Sequence, residues 1–102
     1  KMDREEIIEL IRTYAKKISD IAPFYEILLY GSWARGTAKE NSDIDIAVFV
    51  SEDPDDLIET EAKLWDRCRE VDLRLEPLLI VDKDDPSGFK DMVKKTGIRV
   101  YP

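Results

Sequence analysis

The chain has 102 residues, 43% of them hydrophobic, which supports a packed core and excludes a globally disordered segment. Its formal net charge is -7, with 23 acidic against 16 basic residues, so it lacks the basic surface on which long nucleic acids are held. No apolar run approaches a membrane span, and the charged start Lys1–Glu6 has no apolar leader region. The lone cysteine, Cys68, excludes an internal disulfide and makes a reducing, cytoplasmic setting the expectation.

In chain order, residues 3–20 carry Ile7, Ile8, Ile11, Tyr14, Ala15 and Ile18 at helical spacing, and Pro23 stops the pattern. Phe24 to Tyr30 reads as a buried strand ending at Gly31 and Ser32. Residues 33–36 predict one short helical turn, and Thr37 to Ser42 a polar loop. From Asp43 to Val50 the alternation is strict: Ile44, Ile46, Val48 and Val50 on one face, Asp43, Asp45, Ala47 and Phe49 on the other.

After a turn at residues 51–54, a second long helix is predicted over 55–69, with Leu57, Ile58, Ala62, Trp65 and Cys68 towards the core. Trp33 and Trp65 are read as packing residues and Cys68 as an inert core thiol. Val71 to Ile80 predicts a third strand, irregular or at an edge where Pro77 removes a ladder donor. A polar loop from Asp82 to Gly88 leads to a helix over 87–96, with Phe89, Met92 and Val93 inward, and Ile98 to Tyr101 is a last short strand. This order predicts one α+β domain over 1–102, a mixed sheet with helices packed on one face and the other face free for chemistry.

Asp43 and Asp45 are two apart on a strand and point the same way, a repulsion that a divalent cation relieves. Mg²⁺ suits such a pair because it takes hard oxygen ligands and is commonly shared between carboxylates and phosphates. Gly31 permits close approach of backbone to a ligand, the N–H groups after it attract anions, and Ser32 adds a hydroxyl. Arg35 is placed to bind phosphate or to brace the loop. The residues alone indicate a phosphate-and-metal site and leave nucleotidyl transfer and hydrolysis both open.

The stretch Gly31-Ser32-Trp33-Ala34-Arg35-Gly36 through Ser42-Asp43-Ile44-Asp45-Ile46 resembles the signature of the DNA polymerase β nucleotidyltransferase superfamily, and within it the minimal nucleotidyltransferases (MNT, MntA-like). The resemblance extends over nearly the whole chain and implies the polymerase β-like fold. It implies two Mg²⁺ ions on Asp43 and Asp45, with Gly31, Ser32, Arg35 and Ser42 around ATP or another nucleoside triphosphate. It also implies a third carboxylate on the neighbouring strand. Asp72 and Glu76 share a predicted face and compete for that place, and the Leu-Glu-Pro context resembles a subgroup that favours Glu76.

The same resemblance implies that an NMP, AMP first, is moved to an acceptor, with a protein acceptor expected. It also implies pairing with a HEPN ribonuclease as its antitoxin. A non-catalytic antitoxin acting by binding alone is the alternative, and transfer to a small molecule a third reading. A homo-oligomer is left open.

Overall fold

A computed structural model describes residues 3–83 and 85–102; Lys1 and Met2 of the charged start and Asp84 of the predicted polar loop lie outside the described residues. Eight elements follow one another: α1 (Arg4–Lys17), β1 (Phe24–Tyr30), α2 (Ser32–Arg35), β2 (Ile44–Val50), α3 (Leu57–Cys68), β3 (Leu75–Val81), α4 (Phe89–Thr96) and β4 (Ile98–Tyr101). The four strands form one sheet in the order β3-β2-β1-β4. β1 pairs antiparallel with β2 and β4, while β2 and β3 run parallel, so the sheet is mixed. A parallel pair needs a crossover connection, and α3 provides it.

α1 begins where Asp3 accepts from the Glu6 N–H and the Glu6 side chain accepts from the Asp3 N–H, a reciprocal cap. Its Ile7, Ile8, Ile11, Tyr14 and Ala15 are buried, as their spacing predicts. They pack with Ile27 and Leu29 of β1 and with Ile44, Ile46, Val48 and Val50 of β2 in one core. Each such fully buried aliphatic side chain contributes about 1.5–3 kcal/mol relative to exposure.

The predicted phase of α3 is wrong. Thr60, Leu64 and Cys68, four residues apart, face the core, whereas Leu57, Ile58, Ala62 and Trp65 are exposed. The helix carries more apolar residues than the core takes up, and the inward stripe is the one that places Leu64 in contact with the α1 side of the sheet. There the Leu64 carbonyl accepts a 2.6 Å hydrogen bond from the buried Tyr14 hydroxyl. Trp65 is thus no core packing residue, while Trp33 and Cys68 are buried as expected.

β3 also begins later than predicted, at Leu75. Residues 71–74 form the turn that precedes it, held by Asp72 and Arg74. Ile44 N donates to Arg74 O and Asp82 N to Val50 O, both at 2.8 Å. These bonds fix the parallel ladder so that even-numbered residues of β3 bond to β2. Pro77 therefore turns its nitrogen to the outer edge, where a missing N–H costs nothing.

The long helices α1 and α3 lie together on one face. The short α4 packs on a small part of the other, through Val93 against Leu28, Ala47 and Phe49. Of the residues expected inward on α4 only Val93 is buried; Phe89 and Met92 remain exposed. No helix among the described residues is long and apolar enough to cross a membrane.

Candidate active site

The strand alternation that buries Ile44 and Ile46 turns Asp43 and Asp45 to the opposite face, beside the end of β1. Tyr30 is the register partner of Asp45 on β1, and Glu76 its partner on β3. Three carboxyl groups from two adjacent strands thus converge. Glu76 is raised to about 7, first by a hydrogen bond with Asp43, then by partial burial and the charges of Asp43 and Asp45. Asp45 is also raised, by burial and by the Asp43 charge, and Arg35 pulls it back. Like charges brought together in this way repel, and a cation among them would relieve that repulsion.

Among the described residues no group of three His, Cys, Asp or Glu stands ready to hold a metal ion by itself. Asp43, Asp45 and Glu76 are neighbours on adjacent strands, and Mg²⁺ commonly takes one or two carboxylates and completes its coordination with water and phosphate oxygens. A hard all-oxygen donor set of this kind fits a divalent cation.

Gly31 stands against this cluster. Its φ of 74° and ψ of -153° belong to a region that only glycine adopts without strain. A Cβ there would fall 2.3 Å from Asp45 Oδ2. The backbone of the glycine turn and the Asp45 carboxylate are therefore packed directly against one another. α2 opens at Ser32, so the first N–H groups of the turn have no intrahelical acceptor. Among the described residues nothing engages the Ser32 hydroxyl. Gly36, in the left-handed conformation, ends α2.

Apart from Ser42, the side chains that hold the site together are ones that sequence reasoning did not assign to it. The buried Trp33 indole donates at 3.2 Å to the Ser42 carbonyl, tying α2 to the residue before Asp43. Arg4 donates at 3.0 Å to the Ala34 carbonyl and braces α2 from α1. Ser42, expected at the nucleotide, accepts from Lys39 N at 2.8 Å and closes the turn into Asp43. Tyr30 sits beside the acids; burial, then the Asp45 and Glu76 charges, push its phenol up. Its ring meets Phe89 edge-on with centroids 5.9 Å apart. Its position, directly before Gly31 and opposite Asp45, was the available signal.

Asp72 and Glu76 part company. Asp72 forms a two-pronged pair with Arg74, with Nε to Oδ1 at 3.0 Å and Nη2 to Oδ2 at 2.8 Å. The Arg74 guanidinium holds the Asp72 carboxyl below its usual range. Arg74 also donates to the Glu40 carbonyl, so the pair clamps the loop leading to Asp43. Asp72 lies in the turn before β3, away from the cluster, so the shared face predicted for the two acids does not exist. Glu76 is the acid brought to Asp43 and Asp45.

A four-stranded mixed sheet carrying a glycine-serine turn and paired acids on its open face defines the nucleotidyltransferase class. Residues 5–102 match the family described as Polymerase beta, Nucleotidyltransferase, and the chain belongs to it; the protein is a nucleotidyltransferase. It is 32% identical over 100 residues to a protein of Methanocaldococcus jannaschii provisionally named a protein adenylyltransferase, covering 93% of this chain and 99% of that one. It is 34% identical over 97 residues to the protein adenylyltransferase MntA of Thermococcus cleftensis, covering 93% and 89%. Among solved structures, a toxin–antitoxin crystallised with AMP-PNP superposes with a TM-score of 0.65 at 24% identity, over 98% of this chain and 73% of that one. That likeness is one of fold.

Proposed function

We propose that this chain is a magnesium-dependent protein adenylyltransferase that moves AMP from ATP to a hydroxyl of a protein, the antitoxin side of a pair with a HEPN toxin. The observation that carries it is the meeting of Asp43, Asp45 and Glu76 beside the Gly31–Ser32 turn. The adenylyltransferase names of its relatives support the substrate and acceptor class. A single buried thiol suits a cytoplasmic setting.

In this reading the Ser32 hydroxyl and the N–H groups after Gly31 hold the outer phosphates, with Arg35 near them. Asp43, Asp45 and Glu76 would hold Mg²⁺, which supplies charge neutralisation at the phosphates. The acceptor oxygen forms a bond to the α-phosphorus, the bond to the β-bridging oxygen breaks, and pyrophosphate leaves. Glu76, the acid on the neighbouring strand, takes the acceptor proton. Positioning and electrostatics supply most of the rate.

The test is transfer of label from α-phosphate-labelled ATP to a protein acceptor in the presence of Mg²⁺. Asp43→Asn is expected to abolish labelling with an unchanged circular-dichroism spectrum, since Asp43 is exposed and its removal leaves the core intact. Labelling at the wild-type rate by that variant would refute the assignment. Neutralisation of a partner without labelling would support the non-catalytic reading instead.

A further inference from the structure

α3 leaves unburied an apolar surface that a stable isolated domain does not need. Ile58 is 83% exposed, Leu73 81%, Trp65 47% and Leu57 42%. Ile58, Ala62 and Trp65 are spaced to share one side of the helix. Trp65 and Ala62 then line a groove with Leu73, from the turn before β3. Leu57 lines a second groove with Leu78 and Phe89 along the outer edge of β3. Phe89 in turn meets Tyr30, the register partner of Asp45, so the surface runs to the rim of the acid cluster. Contiguous exposed apolar surface of this kind marks an interaction site.

Charge decides the occupant. Between residues 52 and 61 stand Glu52, Asp53, Asp55, Asp56, Glu59 and Glu61, with no Lys or Arg among them. They frame Leu57 and Ile58; Lys83 offsets Asp53 and Lys63 offsets Glu59, which still leaves this end of α3 acidic. A second copy of this chain would bring the same acids face to face, which disfavours self-association. A partner with apolar side chains framed by Lys and Arg meets both features.

We propose that the outward side of α3, with Leu73, docks a basic amphipathic helix of the protein that this enzyme modifies. This rests on the reading of a protein acceptor and adds where that protein is held. Docking there leaves the open face of the sheet free and places the partner beside the Tyr30–Phe89 edge of the site. Recognition and chemistry then use separate residues.

The test uses the full chain and a synthetic helical peptide of about 18 residues with a Leu face and Lys elsewhere, against an isomer with Glu for Lys. The Lys peptide is expected to bind and to shift Trp65 emission to the blue, a signal lost in Trp65→Phe. Ile58→Asp and the pair Asp55→Asn with Glu61→Gln, the first two positions exposed and Glu61 half-buried, should each weaken binding by about tenfold or more with an unchanged fold. Asp43→Asn should bind as the wild type does. Equal binding of the Glu isomer, unchanged affinity of Ile58→Asp, loss of binding in Asp43→Asn, or dimerisation of the free chain through this face in sedimentation would each overturn the proposal. Ile58-dependent peptide binding by a protein that transfers no label would leave docking intact and remove the acceptor reading, so the two fail separately.

Discussion

Gly31→Ala tests the contact on which the site geometry depends. Two costs arise at once. The backbone at φ 74°, ψ -153° is strained for any residue with a side chain, by about 1–3 kcal/mol. The new methyl would also stand 2.3 Å from Asp45 Oδ2, well inside contact distance, so the carboxylate must move by roughly 1 Å. A displacement of that size at a reacting centre costs about a hundredfold in rate. Gly36→Ala is the control: its φ of 80° also strains a side chain, but the nearest atom to its Cβ is Arg4 Nη2 at 3.7 Å. Urea unfolding and nucleotidyl transfer, measured on both variants, separate strain from displacement. Gly31→Ala is expected to lose more stability than Gly36→Ala, because it adds the clash to the strain, and only Gly31→Ala to lose about a hundredfold in kcat. Equal activity of the two variants would refute the claim that the Gly31–Asp45 contact sets the position of the acid.

Other substitutions probe other layers. Leu64→Ala should lower the unfolding free energy by about 2–5 kcal/mol in denaturant titration, because Leu64 is essentially fully buried beneath α1. Ile58→Asp, by contrast, should leave it within about 0.5 kcal/mol. Trp33→Phe keeps an aromatic core residue but frees the Ser42 carbonyl. It should cost about 1–3 kcal/mol and raise the Mg²⁺ concentration at half-maximal activity. Asp72→Asn tests the clamp through pH. The folded Asp72 carboxyl lies below its ordinary 3.8, so its stabilisation is full above that value and is lost as pH falls through the folded pKa. Wild-type Tm should therefore fall more steeply than that of Asp72→Asn as pH drops below the ordinary carboxylate range, and parallel curves would contradict it.

The parts of the fold that were legible in the residues are those where the side-chain alternation is strict. β2 alternates because Ile44, Ile46, Val48 and Val50 meet α1 and α3 while Asp43 and Asp45 do not, and a period of two is hard to misread. α3 was misread because two apolar stripes overlap on it. Periodicity cannot say which one the core takes, and a modest Thr60–Leu64–Cys68 stripe lies inside a richer one. Asp72 was placed beside Glu76 because Val71 to Glu76 alternates in sequence. The Asp72–Arg74 pair, a local electrostatic contact, turns that stretch out of the strand. The links from Trp33 to Ser42 and from Arg74 to Glu40 join residues with no pattern in common. Long-range bonds of that kind leave no periodic trace.

β2 has β1 on one side and β3 on the other, and its Ile44 to Val50 backbone is the least accessible stretch of the sheet. Its amides at Ile46 and Val48 should accordingly exchange hydrogen only when the whole molecule opens. Asp45 stands on this strand and Asp43 directly before it, so slow exchange there would mean that the acids are carried on the most protected backbone of the sheet.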